Sequence, residues 1–139
     1  MSPATPPIAT RTGLVPWLAL LALCSAYLQG AFCKWLDVDA AVAEMQHFGL
    51  APAWLFAGVV IAFEIVCSLA VLTGRRRWLG AFALAAFTLA ANVLANAWWH
   101  VPAGAERDMT MNGFFEHLGL AGAFVYVGWL DVCRRRDGR

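Results

Sequence analysis

Apolar positions in this chain fall into four long runs, approximately 14–33, 53–73, 78–99 and 114–132, separated by short polar or basic stretches. Each run is about twenty residues, enough helix to cross roughly 30 Å of hydrocarbon, so the pattern predicts four membrane-spanning helices. The third run carries a polar stripe, Thr88, Asn92, Asn96 and His100, among Ala, Leu, Phe, Val and Trp. A spacing of four on a 3.6-residue helix keeps these groups on one face, drifting about 40° per step. Lipid satisfies none of their donors and acceptors, so that face is expected to meet protein or water.

The connecting segments have their own patterns. Residues 1–13 are rich in Pro, Thr and Ala and read as a disordered cytoplasmic tail. The run after them resembles a secretory signal, and Leu21 to Cys24 hints at a lipoprotein box, but Leu23 stands where a small residue is needed. Ala22, Ala26 and Gly30 recur every fourth position instead, which predicts a retained helix packed closely on a neighbour; Gly58 and Ala62 form a similar pair in the second run. Residues 34–52 are amphipathic and predict a short interfacial helix, capped by Asp37 or Asp39, with its apolar side on the bundle or on lipid. Thr73-Gly74 ends the second span, and Val101 to Gly104 ends the third. A loop over Ala105 to Asn112 returns to a fourth span opening at Phe114.

Composition agrees with the pattern. The chain has 139 residues, 61% hydrophobic and 14% charged, against roughly 45–50% and about 25% in soluble domains. The expected architecture is therefore all-α: an integral membrane four-helix bundle over 14–133, with a basic tail at 134–139. Eight of the ten Lys and Arg lie in three places: Arg11, Arg75 to Arg77, and Arg134 to Arg136 with Arg139. The other two connections hold only Lys34 and Arg107. Four spans put the three basic regions on one side, and the positive-inside rule makes it the cytoplasm, so both termini are expected there. The net charge of +1 gives no reason to expect a nucleic-acid partner. The lipid bilayer is the partner the pattern demands. The four cysteines, Cys24, Cys33, Cys67 and Cys133, form no C-x-x-C pair and read as small apolar fillers.

Direction along the chain sets depth. Lys34 ends span one on the outer side, Glu64 lies midway along span two, and Asn92, Asn96 and His100 climb through the outer half of span three. Glu116 and His117 open span four from the same side. A carboxylate near the bilayer centre must be neutral, paired or beside water, which makes Glu64 the most informative residue and Lys34, His100 and His117 its candidate partners. Glu64 and His100 are the candidate proton-handling groups. Lys34, Asn92, Asn96, Glu116 and His117 are candidate ligand-binding groups. Glu116 and His117 are adjacent and point about 100° apart, and no H-x-x-x-H pattern is present, so no metal site is expected. Glu64 could equally serve as structural glue, hydrogen-bonded to Asn92 or Asn96.

Several of these residues are similar to a known pattern: Gly30 to Lys34 at the end of span one, the mid-span Glu64, and Leu72 to Arg76 closing span two. His100 and the opening Phe114-Phe115-Glu116-His117-Leu118 also fit. Over roughly residues 14–133 the chain resembles the DoxX-like family of small four-span membrane proteins. Pro16-Trp17 stand where many members carry an arginine. The resemblance implies a place in the bacterial inner (plasma) membrane. Relatives are described as membrane subunits of thiosulfate:quinone oxidoreductase and as partners in redox-stress complexes, and distant ones look like assembly chaperones. Two functions are therefore expected. One is an accessory or quinone-interacting subunit of a membrane redox system, with a quinone as the candidate ligand and a redox protein or a second copy as partner. The other is a non-catalytic scaffold or assembly partner whose buried polar residues are structural.

Overall fold

The computed structural model describes residues 13–138. Arg11, Arg139 and the predicted tail up to residue 12 lie outside them. The described residues are helical throughout: α1 (Leu14–Leu36), α2 (Val38–His47), α3 (Ala53–Thr73), α4 (Arg77–Ala95), a 3-10 turn at Trp98–His100, and α5 (Ala105–Asp137). Three stretches are long and apolar enough to cross a membrane by length and composition: α1, α3 and Arg77–His100. The long α5 is not among them; Glu116 and His117 on one side and Asp131 on the other limit its uncharged apolar stretch to 118–130.

α1 packs on α3, α3 on α4 and α4 on α5, while α2 lies on α3. The main core gathers Leu20, Cys24 and Tyr27 of α1, Val71 of α3, Leu84 of α4 and Phe124 of α5. A smaller cluster seats Ala41 and Met45 of α2 against Ala57 of α3, so the amphipathic helix turns its apolar side to the other helices. Large apolar side chains such as Leu18, Val59, Val66, Leu89 and Trp129 cover the outer faces. In water such a surface would drive aggregation, whereas acyl chains solvate it.

The helix ends have local causes. Asp37 caps α2, its carboxylate accepting from Ala40 N–H at 2.9 Å. Gly74 closes α3 in the left-handed conformation, φ 76°, where a Cβ is costly. α4 has no cap from its own neighbours, since Arg76 adopts φ 55° without a side-chain bond. Asp131 of α5 supplies it, accepting from Trp78 N–H at 3.1 Å. The same carboxylate oxygen accepts from Arg135 Nε at 2.8 Å, and Arg135 Nη2 donates to Gly74 O at 3.3 Å. The turn between α3 and α4 and the end of α5 are thus tied together.

Three expectations are corrected. Ala22, Ala26, Gly58 and Ala62 are exposed, so of the small-residue spacings only Gly30 faces a neighbouring helix, at Glu64 of α3. The buried face of α1 is Leu20, Cys24, Tyr27 and Ala31. The close approach falls at Gly80 of α4, where a Cβ would lie 2.7 Å from Cys67 O. The third apolar run does not stay helical to 99: α4 stops at Ala95. Asn96 is its C-cap, the backbone N–H still bonded to Asn92 O at 2.9 Å and the side chain donating to Asn92 Oδ1 at 2.9 Å. Finally, Ala105 to Asn112 is not a loop but the first turns of α5. Those turns are held by Trp99 against Phe114, ring centroids 5.6 Å apart, and by Arg107 over Trp98 at 5.2 Å.

Candidate functional site

Lys34 stands in the last turn of α1, where the helix dipole favours a cation. Its flexible stem brings Nζ to 3.8 Å from Glu64 Oε2 and 4.0 Å from Glu44 Oε2. Glu64 is 5% exposed. Its Oε2 makes no hydrogen bond, so attraction without close contact is all that offsets the loss of hydration. Gly30, one turn before Lys34, faces the pair: a Cβ there would be in ordinary contact, 3.6 Å from Nζ and 3.8 Å from Oε2.

The three charges stand at a cavity of about 310 Å³ shared by all five helices. Its walls are mainly apolar, with Met45, Phe48, Val60, Phe87 and Leu120 prominent. Tyr27 and Thr88 also line it and are hydrogen-bonded to each other. Thr88 commits its proton to Leu84 O at 2.6 Å, so the phenol of Tyr27 donates to the threonine oxygen. Tyr27 also meets Phe124 edge-on, ring centroids 5.4 Å apart. His117 reaches the rim of the cavity. Its Nδ1 lies 2.7 Å from Gly113 O, which leaves Nε2 as the lone-pair nitrogen of the neutral ring. The arrangement can hold a flat, largely apolar molecule with one polar end. Lys34 offers a donor and Glu64 an acceptor that lacks one.

The candidate residues are therefore divided. Lys34, Glu64 and His117 share the cavity, whereas Asn92, Asn96, His100 and Glu116 do not line it. His100 was expected on the same helical face as Asn92. It lies instead in the 3-10 turn, exposed, because α4 has already ended. Glu116 is exposed as well. Asn92 donates to Phe114 O at 2.9 Å and accepts from Asn96, so this pair joins α4 to α5. Gly113 gives Asn96 its space, since a Cβ there would meet Asn96 Oδ1 at 3.2 Å. Two cavity residues escaped the sequence reading. Tyr27 carries a hydroxyl within an apolar span, which was a usable sign. Glu44 was legible only as one of several polar positions on an amphipathic helix.

These features define a multi-pass membrane protein in which a lysine–carboxylate pair is buried beside an apolar-walled cavity. The chain belongs to the DoxX family: the DoxX family model matches residues 17–97, a stretch holding Tyr27, Lys34, Glu44, Glu64 and Thr88. Comparison with curated proteins returned no match. Comparison with solved structures returned none either.

Proposed function

We propose that this DoxX protein is an accessory subunit of a membrane redox system that holds a quinone ring in the cavity beside Glu64. One observation carries the reading: a deeply buried carboxylate oxygen that accepts no hydrogen bond, in a cavity otherwise walled by aliphatic and aromatic side chains. An unpartnered buried acceptor costs about 1–3 kcal/mol, more when charged, and a quinol hydroxyl would remove that cost. Lys34 would donate to a carbonyl of the quinone form, and Glu64 would take one of the two hydroxyl protons of the quinol, the other passing to water, when its two electrons leave for a partner redox protein. Tyr27 and Thr88, already bonded to each other, shape the floor.

The same proposal sets the chain across the bacterial inner membrane by four spans, with residues 14–133 as one bundle and α5 as the fourth crossing. Both termini are cytoplasmic. The bond from Arg135 to Gly74 O supports this sidedness, because it keeps Arg75 to Arg77 and Arg134 to Arg136 at one end, where the positive-inside rule wants them. Binding of decylubiquinone and of menadione to the purified protein, read by tryptophan quenching, tests the site. Saturable binding lost in Glu64→Gln and weakened in Lys34→Met is expected. Equal binding by wild type and both variants would reject the site.

A scaffold or assembly role is the second reading. It is favoured by the Asn96–Asn92–Phe114 chain of hydrogen bonds, in which buried polar groups are spent on joining helices. On that reading the Glu64 and Lys34 variants lose thermal stability or partner recovery, and no quinone binds the wild type.

A further inference from the structure

A second concavity lies at the opposite end of the α1–α5 seam. It is a groove of about 430 Å³ between the first turns of α1 and the last turns of α5, lined by Ala19, Leu20, Leu23, Leu130, Arg77 and Arg134 among others. The core residues Cys24, Tyr27 and Phe124 stand between it and the cavity beside Glu64. We propose that this groove binds an anionic glycerophospholipid, its acyl chain along Leu20, Leu23 and Leu130 and its phosphate on Arg77 and Arg134.

Shape and charge both favour that occupant. From Pro16 to Leu23, the α1 residues lining the groove, the helix rises about 10 Å, the reach of the upper part of an acyl chain. Apolar walls that end in guanidinium groups match a hydrocarbon chain that ends in a phosphodiester. Arg77 is held in place, its Nε donating to Val71 O at 2.8 Å, and arginine's planar fork then suits a phosphate better than a mobile ammonium would. Asp131 is the one carboxylate in the lining. Its Oδ2 accepts from Trp78 N–H and Arg135 Nε, so its charge is already answered and does not turn a phosphate away. Arg75 and Arg76 stand at the same end and raise the local positive potential. The proposal is independent of what the other cavity holds.

The test is native mass spectrometry of the full-length detergent-purified protein, titrated with phosphatidylglycerol, with phosphatidylcholine of identical chains, and with inorganic phosphate. Phosphatidylglycerol is expected to bind at least fivefold tighter than phosphatidylcholine, and millimolar phosphate is expected not to displace it. Arg134→Gln should weaken it about fivefold, the effect of one arginine near an anionic lipid. Arg136→Gln removes an equal charge two residues on, about 200° around the helix, and should leave binding unchanged. Ala19→Trp, which fills the groove from an exposed position, should abolish binding while the melting temperature of the lipid-free protein is kept. Equal affinity for the two lipids, equal loss in Arg134→Gln and Arg136→Gln, full binding by Ala19→Trp, or displacement by phosphate would each overturn the proposal.

Discussion

Lys34 Nζ and Glu64 Oε2 stand 3.8 Å apart, the one from the end of α1 and the other from the middle of α3. Their side chains are 19% and 7% exposed. The pair is thus an attraction across a helix interface, close enough to neutralise and too long to be a tight hydrogen bond. Its energetics are asymmetric: losing one partner costs more than never having had either.

Lys34→Met is accordingly expected to destabilise the protein by about 3 kcal/mol, because it strands a buried carboxylate. The double variant Lys34→Met with Glu64→Gln should recover a large part of that loss. Thermal unfolding in a single detergent checks this, and a double variant no better than Lys34→Met alone would show that the pair is not coupled.

At Gly80 the backbones of α3 and α4 come close. A Cβ there would lie 2.7 Å from Cys67 O and 2.9 Å from Ala70 Cβ, so the helices must separate to admit it. Gly80→Ala should cost about 1–3 kcal/mol. Nothing lies within 4 Å of a Cβ at Gly58 or Gly119, and alanine at either should be neutral or slightly stabilising. Melting temperatures of the three variants, measured side by side, decide the point.

Asp131 serves two partners, Trp78 N–H and Arg135. Asp131→Ala should lower stability by about 1–2 kcal/mol, as lost N-caps do, with Asp131→Asn recovering part of it. Proteolysis in the turn between α3 and α4 should rise in the alanine variant. An unchanged cleavage rate would mean that the bonds of Arg135 to Gly74 O and of Arg77 to Val71 O hold that end without Asp131.

His100 is exposed and stands away from the cavity lining. His100→Ala should therefore leave quinone binding within about twofold of wild type, a difference of roughly 0.4 kcal/mol. A loss comparable to that of Glu64→Gln would place the binding site elsewhere.

The natural cysteines report sidedness. Cys33 is exposed near the end of α1 while Cys24 is buried, and Cys133 sits beside the arginines that end α5. In single-cysteine variants on intact spheroplasts, a membrane-impermeant maleimide should label Cys33 and spare Cys133. Inverted vesicles should reverse the pattern. Labelling of both from one side would refute the four-span topology.

Apolar run length and the confinement of charge are local properties, and they were enough to predict an all-helical membrane protein, the short capped helix after Lys34, and Lys34 as one of three candidate partners of Glu64, the one it pairs with. Distance across the fold is not local. The stripe Thr88–Asn92–Asn96–His100 looked like one face because periodicity assumes the helix continues; α4 stops at Ala95 with Asn96 as its C-cap, and His100 went elsewhere. Small-residue spacing likewise says that a helix can be approached closely, without saying whether a neighbour is there, and the contact was made at Gly80. Glu44 joined Lys34, and Asp131 capped a helix more than fifty residues away, because packing brought together groups that no pattern along the chain links. Solvent preference is written residue by residue, but which polar groups meet depends on where each helix stops and on which side it is covered.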